Sequence, residues 1–318
     1  MWSCVGVAGL VAWQIVSTSG IASALLALAA ALFIGIGNVL HQRAAHAVTD
    51  EPVGTFELLG KLLRDWPWWR GSLIAALGFG CQAAALGLGS VLMVQSLMVT
   101  SLLFALIINA RVTHRAVPAG EWVWAVLLAA SISVIVTVGK PTPGAARASL
   151  ETWTIVAAIL VPTAIACLIG ARIWSGAVRA VLLGLVSGSL WGVFAVLTKG
   201  MVELFGSGPM AVLTSPELYA WVLVAIGGTA WQQASFRAGA LTASLPTMTI
   251  TEPMVGSLLG VFVLGETLHP GNSGWWLLGA TVVVMVIATA RLARVEATAM
   301  QDAEAAEDAA KGAAPAGR

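Results

Sequence analysis

The chain has 318 residues, 58% of them hydrophobic and only 10% charged, with a formal net charge of +1. Soluble domains carry about a quarter charged residues, so this composition excludes one and implies a polytopic α-helical membrane protein. The balanced charge offers nothing to nucleic acid, and the three cysteines, Cys4, Cys81 and Cys167, sit in apolar runs that suggest neither a disulfide framework nor a metal site.

Residues 1–19 are an apolar N-terminal segment. It lacks a positively charged start, so no cleavable signal peptide is expected. Residues 2–17 are short for a crossing. They read as a tenth span, a re-entrant piece or an extension of the first helix, with Ser17 to Gly20 supplying a break. Nine spans follow, near 20–41, 70–89, 91–110, 121–139, 152–171, 178–198, 218–238, 241–264 and 274–291.

The first span ends in Asn38, His41, Gln42 and Arg43, of which Asn38 lies deepest and is the best pocket candidate. In the next connection Phe56, Leu59, Leu63 and Trp66 recur at helical spacing. This predicts an interfacial helix near 55–69, anchored by Trp66, Trp68 and Trp69. Uncharged polar groups then lie within spans: Gln82 in the second, and Gln95, Ser96 and Thr100 in the third. Gln232, Gln233 and Arg237 close the seventh span, with Gln233 and Arg237 on one helical face. These glutamines either line a cavity or hydrogen-bond between helices. Lys199 ends the sixth span and reads as a solvated helix end, with gating as the alternative.

The eighth span, Leu241 to Leu264, carries Glu252 as its one ionisable side chain. A carboxylate at the bilayer centre costs at least about 2.5–3.5 kcal/mol, so it faces a partner or a wet cavity. Pro253 beside it removes a backbone donor and predicts a helix break at that depth. Thr249 and Thr251 are the neighbouring polar groups. They join Glu252 in a site, or they hydrogen-bond it and merely fix packing. Glu266, at the end of the span, is expected to cap the turn into Pro270 and Gly271. Residues 293–318, Ala-rich and acidic, read as a frayed helix and disordered cytoplasmic tail.

Positive charge sets the orientation. Arg43, Lys61, Arg64, Arg70, Arg111, Arg115, Arg172, Arg179, Arg237, Arg291, Arg294, Lys311 and Arg318 fall on one side, and only Lys140, Arg147 and Lys199 on the other. The first side, with the C-terminus, is therefore cytoplasmic.

The spans also repeat. QSLMVTSLL (Gln95 to Leu103) matches TEPMVGSLL (Thr251 to Leu259), and LLALAAALFIGIGNVL (Leu25 to Leu40) matches LLGLVSGSLWGVFAVL (Leu182 to Leu197). Gln82-Ala83 matches Gln233-Ala234, and Trp124 to Thr137 matches Trp276 to Thr289. Equivalent helices lie five spans apart, an odd number, so the halves insert with opposite topology. The expected fold is an inverted-repeat helical bundle of four plus one plus four spans. Its parts are a first membrane repeat at 20–139, a connecting span at 140–177 and a second, inverted repeat at 178–292. Glu252 becomes the mate of Ser96, and Thr251 the mate of Gln95.

In TEPMVGSLLGVFVLGETL (Thr251 to Leu268) and ALFIGIGNVLHQRAAH (Ala31 to His46) the chain resembles the drug/metabolite transporter superfamily. The apolar Pro-containing helix ending in Gly265-Glu266 is similar to the penultimate helix of EamA-like members, and the span count to the NIPA-type, magnesium-transporter-like branch. The resemblance implies solute movement across a membrane.

The expected activity is secondary transport of a small organic solute across the cytoplasmic membrane by alternating access, with Glu252 as a proton carrier. A divalent-cation permease is the alternative, although one carboxylate is thin for a dehydrated ion. A non-transporting scaffold subunit is the third reading. No nucleotide-binding loop, cofactor motif or catalytic pair is present, so neither an enzyme nor a cofactor is expected. The expected partners are a small-molecule substrate and the lipid bilayer, and a homodimer stays open.

Overall fold

The computed structural model describes residues 18–37, 40, 66–112, 118–238, 241–271 and 274–313. The N-terminal segment 2–17, Asn38 and the stretch 55–65 of the expected interfacial helix lie outside them. The helices are α1 (Thr18–Gly37), α2 (Trp66–Leu88), α3 (Val91–Met98), α4 (Ser101–Val112), α5 (Ala119–Gly139) and α6 (Leu150–Ile173). They continue as α7 (Gly176–Phe205), α8 (Pro209–Thr214), α9 (Pro216–Arg237), α10 (Leu241–Leu264) and α11 (Gly274–Ala313). Side chains fix several starts. The Oγ atoms of Ser90, Ser149 and Ser215 accept from the backbone N–H groups of Met93, Thr152 and Glu217.

Among the described residues, eight helices are long and apolar enough to cross a membrane, α3 and α4 together supplying one crossing. The chain is a multi-pass helical membrane protein. The remaining expected span, 218–238, is present as the helix α9 but falls short in apolar character, because Gln232, Gln233, Gly227 and Gly228 dilute it.

α7 is the central helix. Ser235 Oγ donates to Ala180 O at 2.7 Å, Ser187 Oγ to Gly228 O at 2.9 Å, and Trp221 Nε1 to Thr198 Oγ1 at 2.9 Å. Rising positions on α7 meet falling ones on α9, so these two run antiparallel. α10 runs parallel to α7, with Gly184, Gly188 and Gly192 facing Ser244–Met248, Met248–Glu252 and Glu252–Gly256. A Cβ on Gly192 would lie 2.8 Å from Gly256 N and 2.9 Å from Glu252 O, so only glycine allows this approach.

The first half packs alike. α1 and α2 are antiparallel, with Ser23 Oγ donating to Ala85 O at 2.7 Å and Gly37 against Ala75. Gly35 brings α1 against α4, where a Cβ would lie 2.9 Å from Ser101 O. Across the halves, α3 lies antiparallel on α10, Val91 near Gly260 and Gln95 near Gly256. α5 lies antiparallel on α11, Gly139 near Leu278 and the Arg291 guanidinium 5.7 Å from the Trp124 ring centre. α6 is peripheral: it packs on α7 and buries only Gly170 and Ala171.

Two expectations need correction. α10 is unbroken through Pro246 and Pro253. Threonine hydroxyls at 247, 249 and 251 bond carbonyls about one turn back, and α7 holds the backbone at its glycines. The break falls instead in the counterpart segment, between α3 and α4. There Thr100 N bonds Leu97 O and Leu102 N bonds Val99 O, a tighter three-residue turn. Second, α11 stays helical to Ala313 through most of the expected tail. Ala and Glu favour helix there, and no Gly or Pro intervenes before Gly312.

The bundle has two unlike ends. At one, α4 and α9 stop in Arg111 and Arg237 and α10 begins. At the other, the links after α5 and α10 are stitched together. Thr142 and Thr267 form an antiparallel bridge, Ala145 N bonds Leu264 O at 2.7 Å, and His269 N bonds Gly139 O at 2.8 Å. Arg147 pairs with Glu217 at 2.9 Å across the same end.

Candidate functional site

A cavity of about 100 Å³ lies between the two halves. Its first-half walls are Ile34 and Gly35 of α1, Phe79 of α2, and Ser101, Leu102 and Ala105 of α4. Its second-half walls are Trp191 of α7, Gln232 and Phe236 of α9, and Leu245, Met248, Thr249 and Glu252 of α10. The α9 and α10 contributors place it between Glu252, at the middle of α10, and the Arg237 end of the bundle.

Among the described residues, Glu252 is the one ionisable side chain on this wall. Among the described residues its carboxylate has no hydrogen bond and no ion pair. The threonines do not hold it: Thr249 Oγ1 donates to Leu245 O at 2.8 Å and Thr251 Oγ1 to Thr247 O at 2.7 Å. A carboxyl group is thus presented to a cavity with no counter-charge from the described residues.

The facing wall is aromatic. Phe79 stacks on Trp191 with centroids 5.4 Å apart and planes 12° apart. Phe194 meets Trp191 edge-on at 5.2 Å and stacks on Trp221 at 5.1 Å. Trp221 is tied to Thr198 in turn, so the indole of Trp191 is held by a continuous ring ladder.

The other end carries a buried ion pair. Glu266 is only 1% exposed. Its Oε1 accepts from Val91 N at 2.6 Å and Lys199 Nζ at 2.8 Å, and its Oε2 from Leu92 N at 2.9 Å. The carboxylate caps the positive end of α3 and neutralises a buried lysine. This corrects both expectations for the pair. Glu266 caps α3 from the other half rather than its own turn, and Lys199 is buried rather than solvated, because the loop Gly265–Thr267 folds inward over α3.

The remaining expected residues scatter. Gln95 is fully buried against Gly256, and among the described residues neither amide atom has a partner. Ser96 donates to Leu92 O and borders a separate apolar recess of about 240 Å³ with Ile135, Pro253 and Leu278. Thr100 sits at the α3–α4 break and donates to Leu97 O at 2.6 Å. Thr251 packs against Gly188. Gln82 and Gln233 are buried away from the cavity, which takes Gln232 instead. Sequence reasoning missed Phe79, Trp191, Ser101, Phe236 and Met248. One signal was present: the repeat alignment sets Ile34-Gly35 opposite Trp191-Gly192, and Ile34, Gly35 and Trp191 all line the cavity. Among the described residues no three His, Cys, Asp or Glu side chains gather as a metal site.

No family model matches the chain, and no solved structure matches it. The chain is 36% identical over 278 residues to an uncharacterized protein of Corynebacterium glutamicum, an alignment that covers 87% of this chain and 96% of that protein. That relationship covers most of both proteins, and so the chain belongs to the same protein family as this Corynebacterium glutamicum protein.

Proposed function

We propose that the protein is a secondary transporter that carries a small organic solute across the cytoplasmic membrane by alternating access, with Glu252 exchanging a proton or the solute's own charge. The observation that carries this reading is the Glu252 carboxylate, unpartnered by the described chain and facing a cavity built from both halves. Such a group is costly at membrane depth unless a ligand or water reaches it.

An inverted repeat of four plus one plus four spans supports the reading. α1, α2 and α4 are related as α7, α9 and α10 are, with the matched glycines Gly35 and Gly192 at equivalent close approaches. Equivalent helices α5 and α11, and α3 and α10, cross antiparallel, as a two-fold axis in the membrane plane requires. With the Arg-rich end assigned to the cytoplasm, the cavity faces inward and the Glu266–Lys199 end is the closed outer side. The mostly apolar and aromatic wall, with a single carboxylate, suits an organic solute better than a dehydrated Mg²⁺, which takes several oxygen ligands.

The test is uptake of a mixed solute library into proteoliposomes, read by mass spectrometry. At least one organic solute should accumulate above empty vesicles, and Glu252→Gln should return it to the empty-vesicle level while remaining monodisperse. Unchanged uptake by Glu252→Gln removes that residue from the mechanism. A library in which no solute enters would sink the transporter reading.

A further inference from the structure

We propose that the cavity selects organic cations, solutes whose ammonium or guanidinium group is neutralised by Glu252 while the rest of the molecule lies on the Phe79–Trp191 wall. This deepens the carrier reading and rests on it only for the movement of the solute, not for binding.

Three observations meet here. The first is charge. Among the described residues, Glu252 contributes the only ionisable group to the lining, and no Lys, Arg or His joins it there. An anionic solute would bring a second negative charge into a poorly hydrated space with no counter-charge, and an organic cation would supply the missing one. The second is the aromatic surface. Trp191, stacked with Phe79 and braced by Phe194, offers a fixed π-face, which attracts cations, most strongly at indole. Phe236 and the polarizable Met248 extend an apolar bed for alkyl or aryl groups.

The third is the shortage of neutral hydrogen-bonding groups. Among the described residues, Ser101, Gln232, Thr249 and the indole N–H of Trp191 are the neutral hydrogen-bonding groups of the lining, and the Thr249 hydroxyl already donates to backbone carbonyls. A sugar or other polyol would leave most of its hydroxyls unpaired on this wall, at a cost for each buried group. A quaternary or alkylated ammonium needs few hydrogen bonds. What it needs is a counter-charge and ring faces.

The experiment measures binding, without transport, on the purified full chain in nanodiscs by isothermal titration calorimetry. The probe is benzyltrimethylammonium, set against neopentylbenzene, which replaces nitrogen by carbon, and benzenesulfonate, which reverses the charge. Benzyltrimethylammonium should bind saturably and at least about tenfold tighter than either comparator. Glu252→Gln should erase that preference, and Trp191→Leu should weaken the cation by about threefold or more. Circular dichroism and size-exclusion profiles matching the parent keep both variants interpretable, and Phe236→Leu is a second wall variant should Trp191→Leu fail to fold. No binding of the cation, equal binding of the neutral isostere, or full cation affinity in Glu252→Gln would each overturn the proposal. Proteoliposome flux separates the two readings. A cation that binds but is not carried defeats the carrier reading and leaves the site. A neutral or anionic solute that is carried and not displaced by the cation defeats the site assignment and leaves the carrier.

Discussion

Two glutamates fourteen positions apart on one segment have opposite surroundings. Glu266 is fully engaged, by two backbone N–H groups and an ammonium, whereas Glu252 faces open space. Removing one member of a buried ion pair costs about 3–5 kcal/mol, because the other is left charged and alone. Glu266→Ala strands Lys199 and two amides at the start of α3, whereas Lys199→Met leaves the carboxylate both amides. Thermal unfolding in detergent should therefore show Glu266→Ala as the more damaging change, and the reverse order would refute the capping account. Sequence alone made Glu252 stand out, since one acid in an apolar span is conspicuous. It could not give Glu266 its role, because Val91 lies 175 positions away and only tertiary folding brings the two together.

At the level of elements, the helices were largely readable from apolar runs. α2, α5, α7 and α10 fall where hydropathy sets them, and α11 starts there but runs on to Ala313; the two departures in the apolar core have local causes. Proline seemed a breaker by its chemistry, yet Pro253 sits in a helix held by threonine bonds and by α7. The true break at Val99–Thr100 contains neither Gly nor Pro, so no residue type announced it. The glycine contacts yield a sharper prediction. Gly192→Val would drive its side chain into α10 backbone at Gly256 and Glu252, and backbone cannot step aside as a flexible side chain would. Overpacking of this kind costs about 1–3 kcal/mol. Gly80→Val, where nothing lies within 4 Å, is the control and should melt near the parent temperature. Equal losses at both positions would mean that α7 and α10 are not in close contact.

For the whole molecule, the cavity's position implies one-sided access. In a background where Cys4, Cys81 and Cys167 are Ala, Ser101→Cys should react with a membrane-impermeant maleimide in inside-out vesicles and resist it in intact cells. Labelling from the outside alone would invert the orientation drawn from the arginines. The matched strings suggested a repeat, but they could not say which faces meet. The aromatic wall emerges only when α2 and α7, from different halves, are set side by side.

The Thr142–Thr267 bridge ties a link leaving the first half to one inside the second. Such a tether works as a fulcrum. The ends of α5 and α10 are thereby held level with each other, and beside them the Glu266 carboxylate fastens the start of α3 to the Lys199 turn of α7. Under the proposed carrier reading, an opening at this end would have to break the Glu266 contacts that join α3 to α7 while the bridged links stay together.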